Sequence, residues 1–319
     1  MSHELTQRKD GFVEMAYFGE APWHRLGQEL TLEETLMPEV VLQKAGMDWD
    51  IKRSRVRFGD GTQLFEDHHV LFRSDTKEPL AVVGKKYQIV QPRHFIMDFL
   101  SPILSATGFR LHTAGTMFGG KRFWALASIG EGATIMGAND KVDGYLLLST
   151  SADGTLATSA RFTTVRVVCN NTLSMALSTK SASDVKVSHR TAFDPVAVRA
   201  QLGIVTGAFG QFIDASRKLA LTTVNLKEAK ELTAALLIDS KTVTKADVEA
   251  SSGFKSILSL FDHGKGNHGE TAWDWVNGVT EYVDHVQRSK SESHRMANSM
   301  FGKGDSLKTM ALERAIALI

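Results

Sequence analysis

A chain of 319 residues, 43% hydrophobic and 23% charged with a net charge of +1, carries enough apolar material for a large core and too little charge imbalance for a disordered chain. No apolar run approaches the roughly 20 residues that a membrane helix needs, and the start MSHELTQRKD lacks the apolar heart of a secretory signal. The single cysteine, Cys169, has no internal partner for a disulfide, so the composition predicts a globular cytoplasmic protein without a membrane partner.

The small net charge hides an uneven distribution. Residues 1–48 carry 4 Lys/Arg against 9 Asp/Glu, residues 49–190 carry 18 against 12, and residues 191–319 carry 15 against 15. The middle of the chain is therefore the segment with cations to spare for a polyanion.

In chain order, GEAPWHRLG at residues 19–27 reads as a turn in which Trp23 and His24 are held by Pro and Gly, either as a stacking pair or as core. Residues 31–46 read as a helix with Leu32, Leu36, Val40 and Val41 on one side and Gly46 as its stop. From Trp49 the period becomes two. Ile51, Arg53, Arg55 and Arg57 share one face of a strand, Gly59-Asp60-Gly61 turns the chain, and residues 64–73 and 80–83 continue a meander. Three arginines in a row on one face suit a run of phosphates; they equally suit an exposed edge strand guarded by charge. A helical stripe follows at Phe95, Ile96, Phe99, Leu100, Ile103 and Leu104, with Pro102 placed to kink it. Residues 109–117 and 121–129 form a hairpin about Gly119-Gly120, in which Arg122 and Trp124 share a face. Basic residues interleaved with aromatics are what a single-strand binder uses, because bases stack on rings while cations follow the backbone.

The stretch from Val142 to Leu177 contains two further strand-like runs joined at Asp153-Gly154, and Asn170 or Asn171 is placed to cap a helix after them. Arg161 and Arg166 are five residues apart, so one unbroken strand sends them to opposite faces. Cys169 sits at the expected strand-to-helix junction, as a buried small residue or, with a histidine brought to it, a nucleophile. Beyond it the spacing turns helical: Asp194-Pro195 opens a long amphipathic run, residues 225–238 form a helix, and Thr244 with Asp247 forms a capping box. The string HGKGNHGETAWDWVNGVTEYVDH, residues 263–285, is a glycine-rich basic loop entering a helix, with amides placed for a phosphate and one helix face for solvent. It matches no Walker A loop, no GxGxxG follows a strand, and His263, His268, Glu281 and His285 have no recognised zinc spacing. No cofactor or metal is expected on these grounds.

Four of these strings, GEAPWHRLG, VRVVCNNTLSMAL, GNHGETAWDWVNGVTEYVDH and the terminal FGKGDSLKTMALERA, together resemble the phage/plasmid-like proteins grouped as domain-of-unknown-function family nine hundred and thirty-two, with a departure at His268 and Glu270. The resemblance implies a gene of a mobile genetic element, expressed in the bacterial cytoplasm, and it carries no biochemical activity over to this chain.

The fold expected from the residues is α+β: a mostly antiparallel twisted sheet in a sheet-rich region over residues 1–190, covered by a helical region over 191–319, the two packed as one unit. Hairpins followed by a helix are similar, in element order alone, to the core of phage single-strand-annealing recombinases. The leading functional expectation is nucleic-acid binding, by annealing or protecting single strands, through Arg53, Arg55, Arg57, Arg122, Trp124, Arg161 and Arg166 on one sheet. The alternatives are a protein-binding module that blunts a host defence protein and, third, a hydrolase using Cys169 or the His263/His268/Glu281/His285 group. A homo-oligomer is compatible with each.

Overall fold

Runs of β-branched and aromatic residues in the middle of the chain pair as antiparallel strands, and the periodic segments near the C-terminus coil into short capped helices, giving an α+β protein. The structure, a computed structural model, describes residues 11–19, 27–135, 140–166, 171–174, 184–187, 208–238 and 244–319. The expected Trp23 and His24 turn, Cys169 and the start of the helix at Asp194-Pro195 lie outside these residues.

Strands β1 (Met15–Tyr17) and β2 (Gln28–Glu29) join β6 (Arg110–Met117), β7 (Arg122–Thr134), β8 (Lys141–Ser151), β9 (Thr158–Arg166) and β10 (Asn171–Ser174) in one sheet of order β10-β9-β8-β7-β6-β1-β2, and β11 (Asp184–Val187) also pairs with β9. A separate three-stranded sheet is built from β3 (Ile51–Phe58), β4 (Gln63–Arg73) and β5 (Pro79–Gly84), in that order. Two compact units result. One comprises Met1–Gly130, Leu146–Arg161 and Asp184–Ile204; the other comprises Glu131–Tyr145, Phe162–Ser183 and Val205–Ile319.

Several expectations are corrected. The helix over 31–46 is two helices, α1 (Leu32–Thr35) and α2 (Pro38–Lys44), because Pro38 lacks an amide to continue the first and starts the second. Around Pro102 the helical run is irregular: a π-helical turn at Phe95–Leu100 passes directly into helix α3 (Ser101–Thr107), in which Pro102 is the second residue and has no amide to give to the turn before it. Asn171 caps no helix; Asn171–Ser174 is a strand whose ladder to Thr163–Arg166 takes precedence over the local capping signal.

In the first unit the core holds an ion pair. Arg73 at the end of β4 is 2% exposed and gives two hydrogen bonds to the equally buried Glu14, at 2.6 and 3.0 Å, and two more to Asp75. Thr116 of β6 donates to the same Glu14 carboxylate, and the Arg73 guanidinium lies 4.1 Å from the Trp49 ring centroid. Burial works against the arginine's charge, but its bonds to Asp75 and Glu14 outweigh that and raise its pKa. The turn between β6 and β7 closes over this group. Gly120 there has φ +88°, and a Cβ on it would lie 2.6 Å from the Trp49 ring.

The second unit carries the helices α4 (Ala208–Leu221), α5 (Leu226–Leu237), α6 (Lys245–Ala250), α7 (Ser252–His263), α8 (Ala272–Glu281), α9 (Glu292–Phe301) and α10 (Lys303–Ile316). It is organised around α8, every residue of which is buried, packed against α4, α7 and α10. The expected solvated face is therefore absent: Trp275 donates to Thr233, Trp273 donates to Asp140, and Gly278 lets the backbone of α7 approach so closely that a Cβ would lie 2.8 Å from the Phe261 nitrogen. A π-helical turn, Tyr282–Val286, follows and carries the buried Asp284, which accepts from Lys308 at 2.7 Å and from Ser299.

Two stability outcomes follow from this packing. Glu14→Ala leaves a buried guanidinium short of its partner and is expected to cost about 3 kcal/mol or more in urea unfolding. Gly278→Ala is expected to lower stability by about 1–3 kcal/mol through overpacking of the helix crossing.

Candidate nucleic-acid interface

The seven residues expected to form a basic surface do not share one sheet. Arg53, Arg55 and Arg57 lie on β3 of the small sheet, while Arg122, Trp124, Arg161 and Arg166 lie on β7 and β9 of the large one. Trp124 is 1% exposed, a core residue opposite Gly115, so its ring is no surface platform for a base. Arg161 stands opposite Asp184 in the register of the β9–β11 ladder and is half-buried. Arg166 is opposite Asn171 in the ladder of the second unit; its side chain lies outside the described residues.

The remaining four are exposed or half-buried and lie in the first unit. β3 is the edge of its sheet, and Arg53, Arg55 and Arg57 are all exposed along it. Alternation puts the three on one face at intervals of about 6.7 Å, within the reach of successive phosphates in an extended single strand.

Tyr87 ties this strand to the large sheet. Its carbonyl accepts from the Arg53 guanidinium at 2.6 Å, and its hydroxyl donates to the Ser151 carbonyl at 3.0 Å. The turn that begins there, residues 152–156, is shaped by Asp153, whose carboxylate accepts from the amide and hydroxyl of Thr155. Thr155 in turn receives the Arg122 guanidinium through Nε at 3.3 Å and a terminal nitrogen at 3.2 Å. Arg53 and Arg122 are thus linked through one tyrosine and one turn, the first at the tyrosine's carbonyl and the second at Thr155. Lys85 and Lys86, exposed, precede Tyr87 directly, and the Lys121 carbonyl holds the Ala152 amide at 2.7 Å. Among the nearby acids, Asp67 is bound by Lys85 at 2.6 Å, which holds its carboxyl below the usual range, and Asp50 is bound by Lys52 at 3.0 Å. Burial, aided by the negative Asp153, pushes the Tyr87 hydroxyl up to about 12, so the group is a neutral donor throughout the physiological range.

Spacing alone does not single out Lys85, Lys86 and Tyr87 as site residues. Their signal is a pair of lysines before an aromatic at the end of a strand, a pattern that acquires meaning only once Tyr87 is seen to bridge two sheets.

The glycine-rich loop that reads in the sequence as a phosphate cradle is closed by its own groups. Asp274 accepts from the amides of Glu270 and Thr271, Thr271 accepts from the Asp274 amide, and Asn267 donates to the carbonyls of Leu260 and Asp274. An anion at this helix start would compete with a built-in carboxylate. Glu281 accepts the Lys265 amide, His263 pairs with Asp262, and no group of three metal-ligating side chains in metal-binding geometry occurs among the described residues.

The family model described as Domain of unknown function (DUF932) matches residues 79–301, well over half of the chain. The chain belongs to this family. No curated protein and no solved structure matches it. Within this DUF932 protein the matched span begins with β5, so Lys85, Lys86, Tyr87 and Arg122 fall inside it and the arginine strand β3 falls before it. No helix among the described residues is long and apolar enough to cross a membrane.

Because the Tyr87 proton is held more tightly in the folded chain than at its ordinary value of 10.0, this residue favours folding below pH 10 and the benefit is lost as pH rises towards 12. Tyr87→Phe is expected to show a shallower fall of melting temperature between those two pH values than the parent chain, measured by circular dichroism.

Proposed function

We propose that this protein binds single-stranded nucleic acid through a basic track formed by Arg53, Arg55 and Arg57 on the β3 edge and continued by Arg122, Lys85 and Lys86 at the Tyr87 corner. The observation that carries the reading is the Tyr87 bridge, whose carbonyl takes Arg53 of the small sheet and whose hydroxyl reaches Ser151, at the head of the turn that receives Arg122 of the large one. The surplus of cations in residues 49–190 supports it, as does the place of β3 at the end of its sheet, where, past the Ile51 backbone held by Gln91, no further strand pairs among the described residues. Trp124, in the core, is no part of the track. Annealing or protecting single strands in the bacterial cytoplasm, as part of a mobile element, is the role that fits such a track.

A second reading has its own observation. Leu32, Leu36 and Met37 are exposed beside a small apolar cleft lined by Pro38, Val41, Ile96 and Leu100, a surface suited to an apolar partner and hence to a module that blunts a host defence protein.

Fluorescence anisotropy with a labelled oligonucleotide across a salt series separates the two. If about four phosphates are neutralised, the log-log slope of affinity against salt is expected near −3, and Arg55→Ala is expected to flatten it by about 0.7. Absence of binding by micromolar protein in low salt overturns the nucleic-acid reading in favour of the protein-binding one.

A further inference from the structure

The hairpin formed by β3 and β4 has a second face that the phosphate track does not use. Its even-numbered residues on β3, Lys52, Ser54, Val56 and Phe58, point away from the three arginines. Phe58 is 50% exposed and Phe65 of β4 is 48% exposed, large rings that a folded chain ordinarily covers or scatters. These are gathered instead. The ring centroids of Phe58 and Phe65 are 6.5 Å apart edge to face, and the ring of His68 is stacked on Phe65 at 4.9 Å with 30° between planes. The stack owes its third ring to an irregularity in the ladder. Arg55 pairs with His69, but the next residue, Val56, pairs with Phe65, so Glu66, Asp67 and His68 have no partner on β3, and this bulge turns His68 over the phenylalanine.

We propose that Phe58, Phe65 and His68 form a stacking platform for unpaired nucleobases, so that the ligand of the arginine track is a single strand recognised by its bases as well as its phosphates. This rests on the reading that the chain binds nucleic acid. Charge selects the occupant. The strand that carries Phe58 also carries Arg55 and Arg57 beside it, on an open edge, and two copies of so basic an edge repel one another, whereas a polyanion with flat apolar bases complements both faces of the ribbon. In a duplex the bases are already stacked and the rings have no free face to meet.

The test uses the full chain and three labelled probes of equal length: an oligothymidine, an abasic deoxyribose-phosphate oligomer and a duplex. Phe65→Ala and Phe58→Ala are expected each to weaken oligothymidine binding about tenfold, leaving the salt slope and abasic affinity unchanged, with the parent chain preferring oligothymidine to both other probes. Phe65→Leu, which keeps the apolar cover and discards the ring, is expected to behave as Phe65→Ala, and Phe65→Trp to retain binding. Thermal melts report whether each variant is folded. If the phenylalanine variants bind oligothymidine like the parent while Arg55→Ala weakens it, the platform is overturned and the phosphate track stands; if the parent binds none of the probes in low salt, both are overturned. A change from dimer to monomer in sedimentation with Phe65→Ala, at unchanged oligothymidine affinity, assigns the face to a second copy and also overturns the platform.

Discussion

A charged group buried in a protein core is tolerable only where its partners are fixed, and the Arg73–Glu14 pair imposes that condition on the first unit. Arg73 ends β4, Glu14 precedes β1, Thr116 belongs to β6, and Trp49 leads into β3, so the requirement that one guanidinium be fully paired sets the small sheet against β1 and β6 of the large one. The Tyr87 bridge between the two sheets is downstream of that placement. A purely apolar contact would tolerate sliding; a bidentate ion pair with a ring beneath it admits one register.

The strands are readable because their period of two is written in residues that need no partner to declare themselves: Ile51 to Phe58, the Gly59-Asp60-Gly61 turn and the Gly119-Gly120 turn all occur where the pattern places them. The caps at Asn225 and Thr244 are equally local and equally legible. What spacing does not disclose is anything that depends on which strand lies beside which. Trp124 and Arg122 alternate like a half-exposed strand, yet the sheet covers Trp124 and leaves Arg122 at a turn. The division of the arginines between two sheets is invisible at the level of spacing, since both sheets contain runs of consecutive strands joined by similar turns. Tyr87 carries no local signal of its role because both of its partners are distant in the chain.

The strings that make the family recognisable divide by what they do. GNHGETAWDWVNGVTEYVDH is distinctive because its polar groups serve the packing. Asn267 satisfies two carbonyls, Thr271 and Asp274 cap the helix, and both tryptophans donate to buried oxygens. The terminal FGKGDSLK places Gly304 against Val283 and Lys308 against Asp284. Distinctiveness here marks a demanding core rather than chemistry. The arginine strand, less distinctive as a string, has the open surface.

The interleaving of the two units bears on how the chain is made. As the polypeptide leaves the ribosome, residues 1–130 arrive with β7 incompletely paired, the ends of β7 and β8 that belong to the helical unit follow, and β9 and β11 of the first unit appear only after that. The first unit therefore lacks β11 until residue 187 has emerged, and the helices of the second unit, which begin at Ala208, come later still. Long-range pairing of this kind folds slowly and leaves strand edges uncovered during synthesis. Three arginines along the β3 edge are then useful before any ligand is met, because they keep nascent chains from joining edge to edge.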